Sequence, residues 1–313
     1  MRADVREGGV WTPLQRAKND VLFVILSALL RGGARLPPRM LVLLGHAAAL
    51  IVWAIVPGLR GRAVVNVRRG LGLDAREARR FVRRNFEALG QVLGETIATF
   101  DPTRPLDVLP LLPGSRACLD EAVAEGRGVV FASAHLGPWE RVAASLVAVG
   151  VPLTVVAREP YDPRLRWVYD HLRGTRNVPT VYRGATGAAF GLVRALRKGR
   201  VLAIPMDLAT RARSVDVPFL GHPAPTPVGA ARLANGTGAV VVVGTVAPAA
   251  DGSLGISFVR IPPAGTEIAL TACINEELSR RIRALPELWP WMHARWPTDP
   301  LLPHCSRAVG GRG

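Results

Sequence analysis

The chain has 313 residues, 49% of them hydrophobic, and a formal charge of +16. That apolar content excludes wholesale disorder and suits one large α/β domain or a domain with a terminal appendage. The charge points to an anionic partner such as a membrane surface, an acidic protein or a nucleic acid. Lys18 and Lys198 are the only lysines, so where the arginines cluster says more than their number. Cys118, Cys273 and Cys305 are scattered, odd in number and without metal-ligand spacing, which fits a reducing compartment. No apolar h-region with a small-residue cleavage site opens the sequence, so no cleaved secretion signal is expected.

In chain order, Val21 to Leu30 is an apolar run too short to cross a bilayer at about 1.5 Å per residue. Met40 to Leu59 is long enough. It reads either as a buried core helix or, the favoured reading, as a membrane span or embedded anchor. Arg60, Arg62, Arg68 and Arg69 follow at once and would hold that end on the cytoplasmic side. Asp74 with Glu77 reads as a capping-box variant that opens a helix from Ala75 to about Phe100. Arg76, Arg79, Arg80, Arg83 and Arg84 recur at helical spacing and share one face. That face is either plainly solvated or an electrostatic contact for lipid headgroups or an acidic carrier. Residues 1–100 are thus expected to be a helical, membrane-associating region.

From about Leu119 the pattern alternates. Strands are expected at Gly128–Ser133, Pro152–Ala157, Thr180–Tyr182, Val201–Pro205, Ala239–Val246 and Gly255–Ile261. Helices are expected at Pro138–Val149, Asp162–Leu172, Gly187–Arg197 and Thr226–Asn235. Such alternation indicates βαβ units and an α/β fold, a mainly parallel sheet sandwiched by helices, over residues 101–300. The Gly-, Arg- and Ser-rich tail, 301–313, is expected to be disordered.

The segment Val129 to Glu140 concentrates the chemistry. A buried strand ends, His135 stands at its carboxyl end, and Gly137-Pro138 starts a helix. Ligands of open α/β sheets bind at the carboxyl ends of strands, where a helix N-terminus also presents backbone N–H groups. An imidazole there can take a proton from an alcohol near neutral pH. The Glu140 carboxylate, five residues on, is expected to hold the ring in one tautomer.

Ala134-His135-Leu136-Gly137-Pro138-Trp139-Glu140 resembles the His-x4-Asp/Glu motif of the late acyltransferases of lipid A biosynthesis. Four further stretches agree in order: Asn66 through the arginine-rich helix to Gly94-Glu95; Leu196 to Gly199 with Ile204 to Asp207; Val217 to Ala224; and Pro286 to Trp296. The likeness covers most of residues 15–298. It implies a glycerol-phosphate acyltransferase-like fold and transfer of a fatty acyl chain from a thioester, usually on acyl carrier protein, to a hydroxyl of a glycolipid precursor. His135 would be the general base and Glu140 its orienting partner. Arg173 and Asp207 fall on family site positions, and Arg158 and Arg183 on family arginines. As substrate-binding residues, these arginines would grip phosphate. No His/Cys/carboxylate cluster with metal-ligand spacing is present, so no metal and no cofactor is expected, and the arginines after the apolar segment place the protein on the cytoplasmic face of the inner membrane. Leu208 and Pro138 depart from the usual pattern without removing a proposed catalytic group.

The Val217–Gly221 stretch reads as acyl-tunnel lining or as ordinary edge-strand packing. Trp289, Trp291 and Trp296 read as core or, less simply, as interfacial anchors. The runner-up function is acyl-CoA-dependent acylation of another glycolipid, such as a phosphatidylinositol mannoside. Glycerol-phosphate acyltransferases themselves are disfavoured by Ala134 and by the missing Glu-Gly-Thr-Arg segment. No basic–aromatic recognition module is present, which argues against a nucleic-acid partner. A basic membrane scaffold without catalysis is the non-enzyme alternative.

Overall fold

The computed structural model describes residues 10–32, 36–160, 162–184, 187–209 and 212–296. The C-terminal tail, with Cys305, lies outside them. Four helices come first: α1 (Pro13–Gly32), α2 (Pro38–Ile55), α3 (Pro57–Leu71) and α4 (Ala75–Thr99). Then follow α5 (Ser115–Ala124), β1 (Val129–Ser133), α6 (Trp139–Ala148), β2 (Leu153–Arg158), α7 (Arg164–Gly174), β3 (Thr180–Arg183), α8 (Ala188–Arg197) and β4 (Val201–Pro205). The remainder is β5 (Ser214–Phe219), β6 (His222–Pro227), α9 (Gly229–Thr237), β7 (Val240–Pro248), β8 (Leu254–Ile261), α10 (Glu267–Ala284) and a 3-10 turn at Pro286–Leu288.

Six strands form one sheet in the order β3-β2-β4-β1-β7-β8. All neighbours are parallel except β7 and β8. The central strand β1 is buried throughout, as a continuous apolar run covered on both faces must be. The expected α/β architecture is therefore present, with strand positions close to those read from the pattern. Thr226 is the main displacement. It belongs to β6, and the helix expected from it begins at Gly229.

Val217–Gly221 lies in an antiparallel β5–β6 hairpin separate from the main sheet. Its turn residues Leu220 and Gly221 both have positive φ, 51° and 88°, as a tight hairpin turn demands. Val217, Phe219 and Leu220 are buried, and the Phe219 ring lies 5.6 Å from that of Trp289 and 6.1 Å from that of Trp296. Core packing is thus what these residues do. The tryptophans are core as well: Trp289, Trp291 and Trp296 are all buried, which removes the reading of them as interfacial anchors.

The apolar segment expected over Met40–Leu59 is two helices. The first ends at Ile55, and Pro57 opens the next, because proline is suited to the first turn of a helix and unsuited to its interior. Only Leu41 and Gly45 of α2 are buried; Leu43, Ile51 and Ile55 are 67%, 57% and 70% exposed. This is an apolar helix with an unpartnered face, not a buried core helix. Its inner side lies unusually close to α4. A Cβ on Gly45 would stand 2.2 Å from the Gly90 carbonyl oxygen, and one on Gly94 would stand 2.4 Å from that of Leu41. Glycine at these positions lets the two backbones meet. The capping box of α4 is present as expected, with Asp74 accepting from the amides of Arg76 and Glu77 and the Glu77 side chain returning to the Asp74 amide. Arg76, Arg79, Arg80, Arg83 and Arg84 are all exposed.

Candidate active site

Ser133 of β1 and Pro205 of β4 are register partners at the carboxyl ends of two neighbouring parallel strands. The Met206 amide continues the ladder by donating to the Ser133 carbonyl at 2.9 Å. His135 and Asp207 each stand two residues past that pair, so the sheet itself delivers both to one spot. The Asp207 Oδ1 lies 2.9 Å from the His135 Nδ1, and its Oδ2 accepts from the His135 main-chain N–H at 2.9 Å and from the Trp289 indole N–H at 2.8 Å. Asp207 is fully buried, whereas the His135 side chain is 27% exposed. Nδ1 is engaged by the carboxylate, so Nε2 is the ring nitrogen left for chemistry. The Trp139 ring stands edge-on to the imidazole with centroids 5.1 Å apart.

Burial alone would disfavour imidazolium, but the Asp207 charge and its hydrogen bond, with Glu140 adding to them, hold the His135 pKa above its ordinary value. Burial would likewise raise the Asp207 pKa. The positive His135 ring and the hydrogen bonds from His135 and Trp289 prevail and hold it below the usual carboxylate range. Each partner favours the charged form of the other.

Glu140 does not hold the ring by a hydrogen bond. It lies in the first turn of α6 and receives two parallel N–H bonds from Arg173, Nε to Oε2 at 2.9 Å and Nη2 to Oε1 at 2.6 Å. The two side chains are 12% and 10% exposed, and the Arg173 guanidinium also lies 5.7 Å over the Tyr169 ring. The spacing of five puts Glu140 near enough to influence His135 through space, while the hydrogen-bonding role expected of it falls to Asp207. Arg158 and Arg183 form a neighbouring group of their own. They are register partners at the carboxyl ends of β2 and β3, and burial together with the Arg158 charge lowers the Arg183 pKa.

A C-terminal strap closes the site from behind. The Asn85 side-chain amide, on α4, donates to the carbonyls of Glu287 and Trp289, both at 2.8 Å. Asn66, on α3, donates to those of Trp291 and His293 at 2.8 and 2.7 Å. Alternate carbonyls are thus held by two asparagines one helix apart. Gly137, with φ of +61°, receives the strap on the other side, its amide donating to the Leu288 carbonyl at 3.0 Å. Sequence reasoning passed over Trp289, Asn66 and Asn85 as site-supporting groups. The signal for Trp289 was present in the tryptophan-rich stretch itself, since a buried indole N–H needs an acceptor.

Comparison with known proteins adds the chemistry. Residues 13–298 match the family described as bacterial lipid A biosynthesis acyltransferase. The chain belongs to this family. A lipid A biosynthesis lauroyltransferase of Escherichia coli K12 is 29% identical over 237 residues, which are 73% of this chain and 75% of that protein. Phosphatidylinositol mannoside acyltransferases of two Mycobacterium tuberculosis strains are 28% identical over 196 residues, 58% of each chain. The chain is thus an acyltransferase by family, which sets aside the reading as a non-catalytic scaffold.

Proposed function

We propose that this acyltransferase moves a fatty acyl chain from a thioester on acyl carrier protein to a hydroxyl of a lipid A precursor, with His135 as general base. The observation that carries the proposal is the Asp207–His135 pair, a buried carboxylate that fixes Nδ1 and leaves Nε2 to the substrate. Nε2 takes the hydroxyl proton as the alkoxide oxygen attacks the thioester carbonyl. The tetrahedral intermediate collapses with cleavage of the C–S bond, and the departing thiolate receives the proton from the imidazolium. Asp207 supports the positive ring between these two transfers, as the acid of a triad does. The positive end of α6 stabilises the developing oxyanion. Arg158 and Arg183 bind the anionic parts of the substrates. Glu140 and Arg173 shape the wall beside the base, with Glu140 adding negative potential at the ring.

Residues 1–100 would seat the enzyme on the cytoplasmic face of the inner membrane. The exposed apolar side of α2 enters the lipid, and the arginines at its end meet anionic headgroups. Trp53 near that end is bracketed by the guanidiniums of Arg60 and Arg83, at 5.1 and 5.8 Å from its ring. A second reading, acyl-CoA-dependent acylation of a phosphatidylinositol mannoside, is favoured by the mycobacterial relatives.

The test is to incubate the detergent-purified protein with acyl carrier thioester or acyl-CoA, with lipid A precursor or mannosylated phosphatidylinositol, and to weigh the lipid products. Transfer from the carrier thioester to the precursor is expected. Transfer only from acyl-CoA to the mannoside supports the second reading. A folded protein that consumes neither donor refutes both.

A further inference from the structure

We propose that the exposed face of α8 is the docking surface for an acidic carrier protein that presents the acyl thioester. Phe190, Arg194, Arg197 and the C-cap residue Lys198 follow one another at i, i+4, i+7 and i+8, so they share one side of the helix. Leu192 and Leu196 are buried on the other side. The three basic residues are exposed, and Phe190, at 73%, is the most exposed aromatic residue among the described residues. Elsewhere on the α/β domain Arg116, Arg127, Arg166, Arg260 and Arg280 each pair with a carboxylate. No carboxylate pairs with Arg194, Arg197 or Lys198 among the described residues, and α8 itself carries no acidic side chain. Cations in a last turn suit the helix dipole, which accounts for Arg194 and Arg197. It does not account for an exposed phenyl ring one turn before them. An uncompensated basic stripe beside an apolar knob complements a negatively charged protein surface with an apolar spot of its own.

Topology favours a soluble partner over lipid. Right-handed crossovers put α6 and α7, which lead from β1 to β2 and on to β3, on one face of the sheet. By the same rule α8, which leads back from β3 to β4, lies on the other face. The first helices follow α6 and α7: α1 packs on α7, and α4, with α2 against it, packs on α6. α8 packs on α9 instead. Its stripe therefore looks away from the layer in which α2 exposes its apolar side.

The position also suits a donor. α8 begins just beyond Arg183, at the carboxyl end of β3, on the sheet edge that carries His135. Three strand spacings separate β3 from β1, about 14 Å across the sheet. A phosphopantetheine arm has the reach of a short extended peptide, about 15 Å. A carrier seated at Phe190 thus spans the gap: its arm passes Arg183 and Arg158 and brings the thioester to the imidazole.

The choice of a carrier as occupant rests on the acyl-transfer reading, but docking is tested without turnover. Fluorescently labelled holo acyl carrier protein is titrated by anisotropy with the full chain in detergent, alongside flotation with vesicles containing phosphatidylglycerol. Wild-type carrier binding should weaken as salt rises. R194E/R197E should weaken it about tenfold or more while flotation stays at the wild-type level. F190A keeps every charge and should weaken carrier binding about threefold; it carries the test should the double reversal not fold. R76E/R80E should show the opposite pattern, losing flotation and keeping the carrier. A carrier that ignores the wild-type protein, that binds the α8 variants as well as wild type, or that is lost only in R76E/R80E overturns the proposal. Lost flotation in R194E/R197E overturns it too, because the stripe is then a lipid contact. In turnover, R194E/R197E should raise the KM for carrier thioester about tenfold. If the α8 variants lose the carrier yet wild type transfers no acyl chain, only the acyl-transfer reading has failed. If transfer from the carrier proceeds with an unchanged KM in R194E/R197E, only the docking proposal has.

Discussion

Asp207 holds His135 at two points, one oxygen facing the ring Nδ1 and the other accepting the main-chain N–H, so both the tautomer and the direction of the imidazole are set by a single carboxylate. The sign of the coupling gives a pH prediction. A raised His135 pKa stabilises the fold below the ordinary value of 6.5, and that contribution is lost as pH rises through the folded value. As the proposed base, His135 must be neutral to work, so on that proposal the acid limb of kcat/KM should lie above pH 6.5. D207N removes the charge and should move that limb to lower pH while lowering kcat. A limb unmoved in a folded D207N would show that another group titrates.

Removal of the proposed base should be severe. H135A should lower turnover by about two to four orders of magnitude. Near-normal rates from a variant with wild-type melting behaviour would dismiss His135.

The Glu140–Arg173 pair is buried enough that breaking it strands a charge. E140Q or R173Q alone should cost about 3–5 kcal/mol in chemical denaturation, and the double variant should cost less than the sum. The acid limb in E140Q should shift down less than in D207N, because Glu140 acts on His135 through space only. An additive double variant would mean that the two side chains do not depend on each other.

Reversal of Arg76, Arg80 and Arg83 to Glu should weaken flotation with anionic vesicles, at about 1 kcal/mol per site for residues near the surface, and wild-type binding should fall with salt. Binding that ignores both salt and reversal would leave that face merely solvated.

Where α2 meets α4, one methyl group is already too many. G94A places a Cβ 2.4 Å from the Leu41 carbonyl oxygen and should destabilise the protein by about 1–3 kcal/mol. G72A is a poor control because of its positive φ; G61A, with open space around it, should be close to neutral.

The sheet was legible because its inner strands are unbroken apolar runs: Val129–Ser133 and Val201–Pro205 admit little else. The β5–β6 hairpin was not, since Pro218, Pro223, Pro225 and Pro227 argue against strand, and two edge strands outside the main sheet tolerate them. His135 stood out by its place at a strand end. Its partner did not, because nearness in sequence favoured Glu140 while the parallel register of Ser133 with Pro205 brings in Asp207 from 72 positions away. Local spacing could not reveal that register, nor the asparagines that bind the strap from two earlier helices.

The strap also dates the enzyme's competence during synthesis. Helices α1 to α4 leave the ribosome first, and Asp207 emerges well before Trp289, whose indole completes the carboxylate's hydrogen bonds. On the proposed seating, a nascent chain held on lipid through α2 would carry an acidic group without its last donor, and the imidazole it supports would not yet be tuned. Docking of residues 287–293 onto Asn85 and Asn66 is the closing event. On that proposal, the order of the chain would make membrane arrival precede the ability to transfer an acyl group.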